Sequence, residues 1–240
     1  MTRLDDPALV ASEYADESRL MRRARGFAGI GTAHDARVPL VTAIIAAAPS
    51  RILEVGCGWG ELAAWIARDT GAEVIATDLS PRMVELAREA GADARVADVQ
   101  ELPFADGSFD AVVAAWMLYH VPDLERGLAE IARVLREGGV LFATTNSRYH
   151  LQELRDLVGS GPSPSKFTRE DGRDQLLRHF ASVDRIDVEG DLIFDDRTQV
   201  DDYVRASIAM SPFADNLPAD LALPLAVRSG SSVFVARKAA

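Results

Sequence analysis

From residue 51 onward, short apolar runs alternate with segments whose apolar positions recur every three or four residues, the pattern of parallel strands covered on both faces by helices. Residues 51–55 read as a first strand and 60–69 as its helix. Glu73 to Thr77 is the second strand, followed by a helix with Ser80 as N-cap and Pro81 at its first position. Met83, Leu86, Ala87 and Ala90 form that helix's apolar stripe. A short strand at Ala94 to Ala97 precedes a loop through Leu102-Pro103-Phe104 and Asp106-Gly107, then a strand from Phe109 to about Trp116. Asp123 caps a helix with Leu124, Leu128, Ile131, Ala132 and Leu135 on one face. Gly138-Gly139 is expected to end it before a strand at Val140 to Thr145. Ser182 to Val188 and Ser232 to Ala236 supply the last two strands.

The pattern changes at both ends of this core. Residues 1–48 read as a helical cap in which Leu40, Val41, Ile44 and Ile45 face the sheet, interrupted from Gly26 to Asp35 by turn chemistry with Gly26, Gly29 and Gly31. After a helix from about Tyr149 to Val158, the run from Gly159 to Ser165 is a loop by composition, and a helix near Arg169 to His179 follows. Residues 190–229 read as an irregular insertion with one helix, Gln199 to Ala209, that serves as a lid over the acceptor. The expected organisation is one domain: a cap at 1–48, a core at 49–189 and 230–240, and the 190–229 insertion. Acceptor specificity belongs to the flanks.

Composition narrows the class. With 240 residues, 48% of them hydrophobic, the chain can bury one sizeable core and an insertion. A net charge of -11 argues against nucleic acid or an anionic membrane surface, which both require a basic face. The close spacing of Arg19, Arg22, Arg23 and Arg25 is most simply a solvated helix face beside Asp16 and Glu17. One cysteine cannot form an internal disulfide. The start from Met1 to Asp6 lacks an apolar signal region, and no run of about 18 apolar residues occurs, so a cytoplasmic setting is expected. Oligomeric state is not legible.

The most informative stretch runs from Arg51 to Glu61, where the first strand ends in Glu54 and turns through Gly56, Gly58 and Gly60 into a helix. A dinucleotide fingerprint requires glycine where Glu61 stands, and a carboxylate in the first helical turn competes with a phosphate. The turn favours a ligand without phosphate. Two more acids, Asp78 and Asp98, stand at the ends of the next two strands, where the sheet does not require them.

These residues resemble the class I S-adenosylmethionine (SAM)-dependent methyltransferases, in particular the small-molecule type 11 domain of the quinone-biosynthesis kind. Leu53 through Gly60, Ala76 through Met83, Ala97-Asp98-Val99 with Leu102-Pro103-Phe104, and His120-Val121-Pro122-Asp123 through Gly138-Gly139 carry the likeness, over about residues 40–146. The resemblance implies an α/β, doubly wound Rossmann-like sheet of seven strands, mostly parallel with the last antiparallel. It also implies SAM as cofactor and a small-molecule acceptor. By the same resemblance, Glu54 and the backbone around Gly56, Gly58 and Gly60 approach the methionine amino group, Asp78 accepts both ribose hydroxyls, and Asp98 accepts from the adenine amino group between Val99 and Leu79. Trp116 and Met117 end the fourth strand near the methionine part. The proline usual before the paired glycines is replaced by Arg136-Glu137, in a loop remote from chemistry.

Methyl transfer asks mainly for alignment, and for a base only if the acceptor keeps its proton. His120, Tyr14 and Asn146 are the catalytic candidates, with Tyr119, His34 and His150 behind them; a helix-initiating structural role for His120 and a strand-terminating one for Asn146 compete with catalysis. The four histidines show no paired spacing for a metal, and no nucleophile elbow or phosphate loop occurs. Phe167, Phe194, Tyr203, Met210 and Phe213 suggest a partly apolar acceptor or, equally, a local packing cluster. SAM chemistry without methyl transfer, such as cyclisation to methylthioadenosine, and a nicotinamide oxidoreductase are the alternatives; Glu61 counts against the latter.

Overall fold

A computed structural model of the chain describes residues 4–15, 18, 20–22 and 34–240. The seven strands are β1 (Arg51–Val55), β2 (Glu73–Asp78), β3 (Asp93–Val96), β4 (Phe109–Ala115), β5 (Leu135–Asn146), β6 (Ser182–Phe194) and β7 (Leu225–Arg237). They form one sheet in the order β3-β2-β1-β4-β5-β7-β6. β1 to β5 pair in parallel, and β7 lies antiparallel between β5 and β6. This is the expected doubly wound arrangement. Strand order reverses between β1 and β4, the place where open α/β sheets leave a crevice at the strand ends.

Alternation along the strands builds two cores. On β1, Ile52 faces the layer of α2 (Arg37–Ala47) and α3 (Glu61–Thr70) with Leu40, Ile44, Ile66 and Phe142. Its neighbour Leu53 faces α5 (Leu124–Val134) with Phe109, Leu128, Ile131 and Phe234. Both residues are wholly buried, which stabilises the sheet by about 2 kcal/mol each. α4 (Pro81–Glu89) begins as its sequence dictates: the Ser80 hydroxyl accepts from the Met83 N–H and Pro81 sits in the first turn. Its buried face is Met83, Val84 and Ala87, whereas Ala90 is exposed, because the helix ends one residue before it.

Three boundaries differ from the expectation. α5 stops at Val134 and β5 begins at Leu135, so Gly138-Gly139 lies inside the start of β5, at the irregularity between the Phe109 and Ala111 pairings, and does not end the helix. β6 and β7 pair without interruption from Ser182–Arg237 to Phe194–Leu225. The two ends of the segment 190–229 therefore continue β6 and β7, and α8 (Arg197–Ala206) lies between them. The apolar face of the strands there packs with α6 (Gln152–Val158) and α8 as a third cluster around Phe194, Tyr203 and Met210. The helix expected near Arg169 to His179 is the shorter α7 (Gly172–Leu176).

At the other end, α1 (Pro7–Glu13) is capped by Asp6, whose carboxylate accepts from the Ala8 and Leu9 N–H groups. Gly26, Gly29 and Gly31, and Asp16, Glu17, Arg19, Arg23 and Arg25 of the proposed basic face, lie outside the described residues.

Candidate functional site

The glycine turn takes the shape its sequence requires. Gly56, Gly58 and Gly60 all adopt positive φ, at 69°, 54° and 83°. At Gly56 close approach is as strict a demand as φ: a Cβ there would stand 2.7 Å from Met117 Cβ, so only glycine lets the end of β1 meet the end of β4. A Cβ on Gly60 would stand 2.9 Å from Ala87 Cβ, which fixes how closely α3 and α4 pack.

The acids stand along this edge. Glu54 is 2% exposed, and one of its carboxylate oxygens, Oε2, has no hydrogen-bond partner among the described residues. Burial, with the nearby Asp78 charge, pushes Glu54 up to about 8. Asp78 accepts from the Gly58 N–H at 2.9 Å and, on its other oxygen, from the Ser80 N–H at 2.9 Å. It therefore ties the glycine turn to the N-terminus of α4. Burial raises Asp78 as well, against the lowering effect of those bonds. Two desolvated carboxyl groups at neighbouring strand ends, neither paired with a cation among the described residues, suit a ligand carrying positive charge and hydroxyl donors. Asp98 at the end of β3 instead accepts from the Gln100 N–H and side-chain amide. Val99 beside it is buried, while Leu79 is 54% exposed. Cys57 is buried among apolar residues and the same acids, and its thiol is pushed up rather than activated.

A cleft of about 420 Å³ opens beside Asp78, Leu79 and Ser80, and α1 forms its opposite wall through Val10, Ala11 and Tyr14. α1 is anchored across the site at three points. The Ser80 hydroxyl donates to the Tyr14 carbonyl at 2.7 Å, Lys166 pairs with the buried Asp5, and His120 Nδ1 lies 2.8 Å from the Leu4 carbonyl. Because a carbonyl only accepts, Nδ1 carries the proton, and Nε2 accepts from the Tyr14 hydroxyl at 2.9 Å. Two catalytic candidates 106 residues apart in sequence thus meet.

The third candidate stands elsewhere. Asn146 Oδ1 accepts from the Trp116 indole N–H at 3.0 Å and from the Ser231 hydroxyl at 2.8 Å. Trp116 adopts φ 52°, an uncommon conformation for a tryptophan, which turns its ring toward β5. Tyr119 packs edge-on against His120 at 4.5 Å between centroids. His34 bonds the Glu189 carbonyl. Of the residues advanced for an apolar acceptor, Phe167 packs on Phe234, and Phe194, Tyr203 and Met210 are buried in the third cluster, against which the partly buried Phe213 packs. Sequence reasoning missed the α1 clamps. Asp5 and Lys166 gave no local signal, since an ion pair 161 residues apart has no periodicity.

Comparison with known proteins agrees with the architecture. Residues 53–143 match the family described as a methyltransferase domain. Curated relatives include the methyltransferase GfsG of Streptomyces halstedii, 44% identical over 99 residues that cover 38% of this chain and 36% of that one. The ubiquinone biosynthesis O-methyltransferase of Xanthomonas oryzae pv. oryzae is 43% identical over 119 residues, 47% of this chain and 49% of that one. The chain thus spans about half, or less, of the length of these relatives. Among solved structures, the YcgJ protein from Bacillus subtilis superimposes with a TM-score of 0.61 at 18% identity, over 85% of this chain and 99% of that one. The [4+2]-cyclase SpnF gives 0.60 at 22% over 96% and 95%. At such identities these two show the fold alone. The matched methyltransferase domain runs from β1 into β5, the segment that carries the resemblance to the class I SAM-dependent methyltransferases.

Proposed function

We propose that this protein transfers a methyl group from SAM to a small organic acceptor. The observation that carries this reading is the buried Glu54 carboxyl group with its unpartnered oxygen, set at the strand-order reversal beside Asp78. In this reading Glu54 and the backbone of Gly56 receive the methionine ammonium, Asp78 the ribose hydroxyls, and Asp98 and Val99 the adenine, with Leu79 on its other face. Gly58, Gly60 and Met117 shape the pocket, and Trp116 positions Asn146 through their hydrogen bond. When bound, SAM supplies an electrophilic methyl on a sulfonium that needs no further activation.

The protein's part is then to align, dry and, for a protonated acceptor, deprotonate. His120 presents Nε2 as the proton-accepting atom because the Leu4 carbonyl holds Nδ1–H, and an acceptor hydroxyl or amine would take the place of the Tyr14 hydroxyl there. Asn146 orients the acceptor on the β5 side. In this reading residues 190–229, α8 among them, form the lid over that side. Fluid apolar lining by Phe194 and its neighbours is not part of this picture, since packing uses those side chains. The acidic charge fits a small-molecule partner better than nucleic acid, and no helix among the described residues is long and apolar enough to cross a membrane, in keeping with work in the cytoplasm. Incubation with methyl-labelled SAM and a broad panel of phenols, amines and carboxylic acids tests the proposal. S-adenosylhomocysteine and a labelled acceptor are expected. Methylthioadenosine as product would replace methyl transfer by cyclisation of the cofactor.

A further inference from the structure

A second cavity, of about 320 Å³, opens where β5 ends, lined by Ser147, His150, Arg169, Glu189, Arg228 and Gly230 among others. It is continuous in bonding with the candidate acceptor side. Asn146 precedes Ser147 in the chain, and the Ser231 hydroxyl that Asn146 holds follows Gly230.

The walls are rich in donors. His150 is 7% exposed, and its Nδ1 accepts from the Gly230 N–H at 3.3 Å, so the neutral ring carries its proton on Nε2. Burial first, then the charges of Arg155 and Arg169, draw His150 down to about 3 and keep it neutral. Arg155 lies behind the histidine, 8% exposed, with Nε donating to the His150 carbonyl at 3.2 Å. Among the described residues its Nη1 has no hydrogen-bond partner and no carboxylate pairs with it. On the cavity side, Arg169 Nη1 is held by Glu189, whose side chain is 60% exposed, and its Nε lies 3.4 Å from the half-buried Glu170. Arg228 pairs with Glu153 at 2.8 Å. A buried guanidinium with no counter-charge among the described residues, beside a second one of whose two carboxylate partners Glu189 reaches in from solvent, is the electrostatic situation that an entering anion relieves. Arginine also presents the planar fork that a carboxylate fits.

We propose that this cavity anchors the acceptor by a carboxylate, which takes the place of Glu189 on Arg169 within the field of Arg155. This rests on the methyl-transfer reading for the word acceptor, but the site itself is testable without turnover. Glu189 holds Arg169 until the acceptor enters, and the acceptor's reacting atom would lie toward Asn146. The substrate class is a small carboxylic acid.

The test is calorimetric titration of the protein with benzoate and hexanoate against benzamide and hexanamide, in the presence and absence of S-adenosylhomocysteine. The acids are expected to bind at least tenfold more tightly than the amides, and more weakly as salt rises. Arg169→Met should cost tenfold or more, while Glu189→Gln, an exposed change that leaves folding intact, should tighten the acids at least threefold. A loosening or no change with Glu189→Gln, equal binding of acids and amides, or binding of neither, overturns the proposal. Acid binding in a protein that shows no S-adenosylhomocysteine affinity would leave the anchor standing and sink the methyl-transfer reading instead. Tight S-adenosylhomocysteine binding with no preference for acids would do the reverse.

Discussion

The Tyr14 hydroxyl donates to His120 Nε2 at 2.9 Å, with the two rings edge to face at 5.5 Å. One residue follows the first helix and the other lies just beyond β4, so the bond joins the N-terminal cap to the strand ends that carry the site. Its direction is fixed by the Leu4 carbonyl on the opposite ring nitrogen. If His120 is the base for methyl transfer, His120→Ala lowers kcat by about 10²- to 10⁴-fold while S-adenosylhomocysteine affinity changes little. Tyr14→Phe removes this bond and changes kcat by less than about tenfold. Steady-state rates and calorimetric affinities for the two variants check this; equal losses in both would make the pair structural.

Glu54 gives a pH dependence with a definite sign. Its folded value of about 8 lies above the ordinary 4.5, so its neutral form favours the folded state fully below about 4.5, and that contribution is lost as pH rises through 8. Glu54→Gln should therefore stabilise the ligand-free protein at pH 8 by about 1–3 kcal/mol and flatten the fall in stability between pH 5 and 8. A cation binding at Glu54 prefers the ionised form, so SAM affinity should rise from pH 6 to pH 8 with release of a proton. Denaturant melts and calorimetry in buffers of different ionisation enthalpy measure both.

His150 has the opposite sign. Its folded value of about 3 is below the ordinary 6.5, so the stability it contributes is present above 6.5 and is lost as pH falls toward 3. His150→Gln should soften acid unfolding, seen as a shallower decline of Tm between pH 6.5 and 4.

Gly56 separates close contact from backbone preference. Gly56→Ala meets both a positive φ and Met117, and should cost about 2–4 kcal/mol together with SAM affinity. Gly159→Ala, at φ 71° with nothing within 4 Å, should cost only about 1 kcal/mol and leave affinity unchanged. Thermal melts with and without S-adenosylhomocysteine compare the two.

Much of the sheet was readable because strands β1, β2 and β4 are near-continuous apolar runs and the helices between them carry capping residues such as Ser80 and Asp123. The strand-end acids were readable for a related reason: a carboxylate closing an apolar run stands out. What stayed hidden depends on distance in the chain. The β6–β7 ribbon is paired over thirteen residues, but Glu189, Gly190 and Asp191 break the apolar pattern and mask the strand beyond Val188. Leu135 carries helical spacing from α5, yet its pairing with Phe109 draws it into β5. The meeting of Tyr14 with His120, and of Lys166 with Asp5, is set by how α1 lies across the sheet, which no local pattern encodes.

The central claim is that the cleft at Glu54 and Asp78 holds SAM. Calorimetric titration of the protein with SAM and, separately, with NADH tests it most directly, with Asp78→Ala as companion. SAM binding in the micromolar range, lost by about tenfold or more in Asp78→Ala, with no NADH binding, is the expected result. NADH binding without SAM binding would contradict the account.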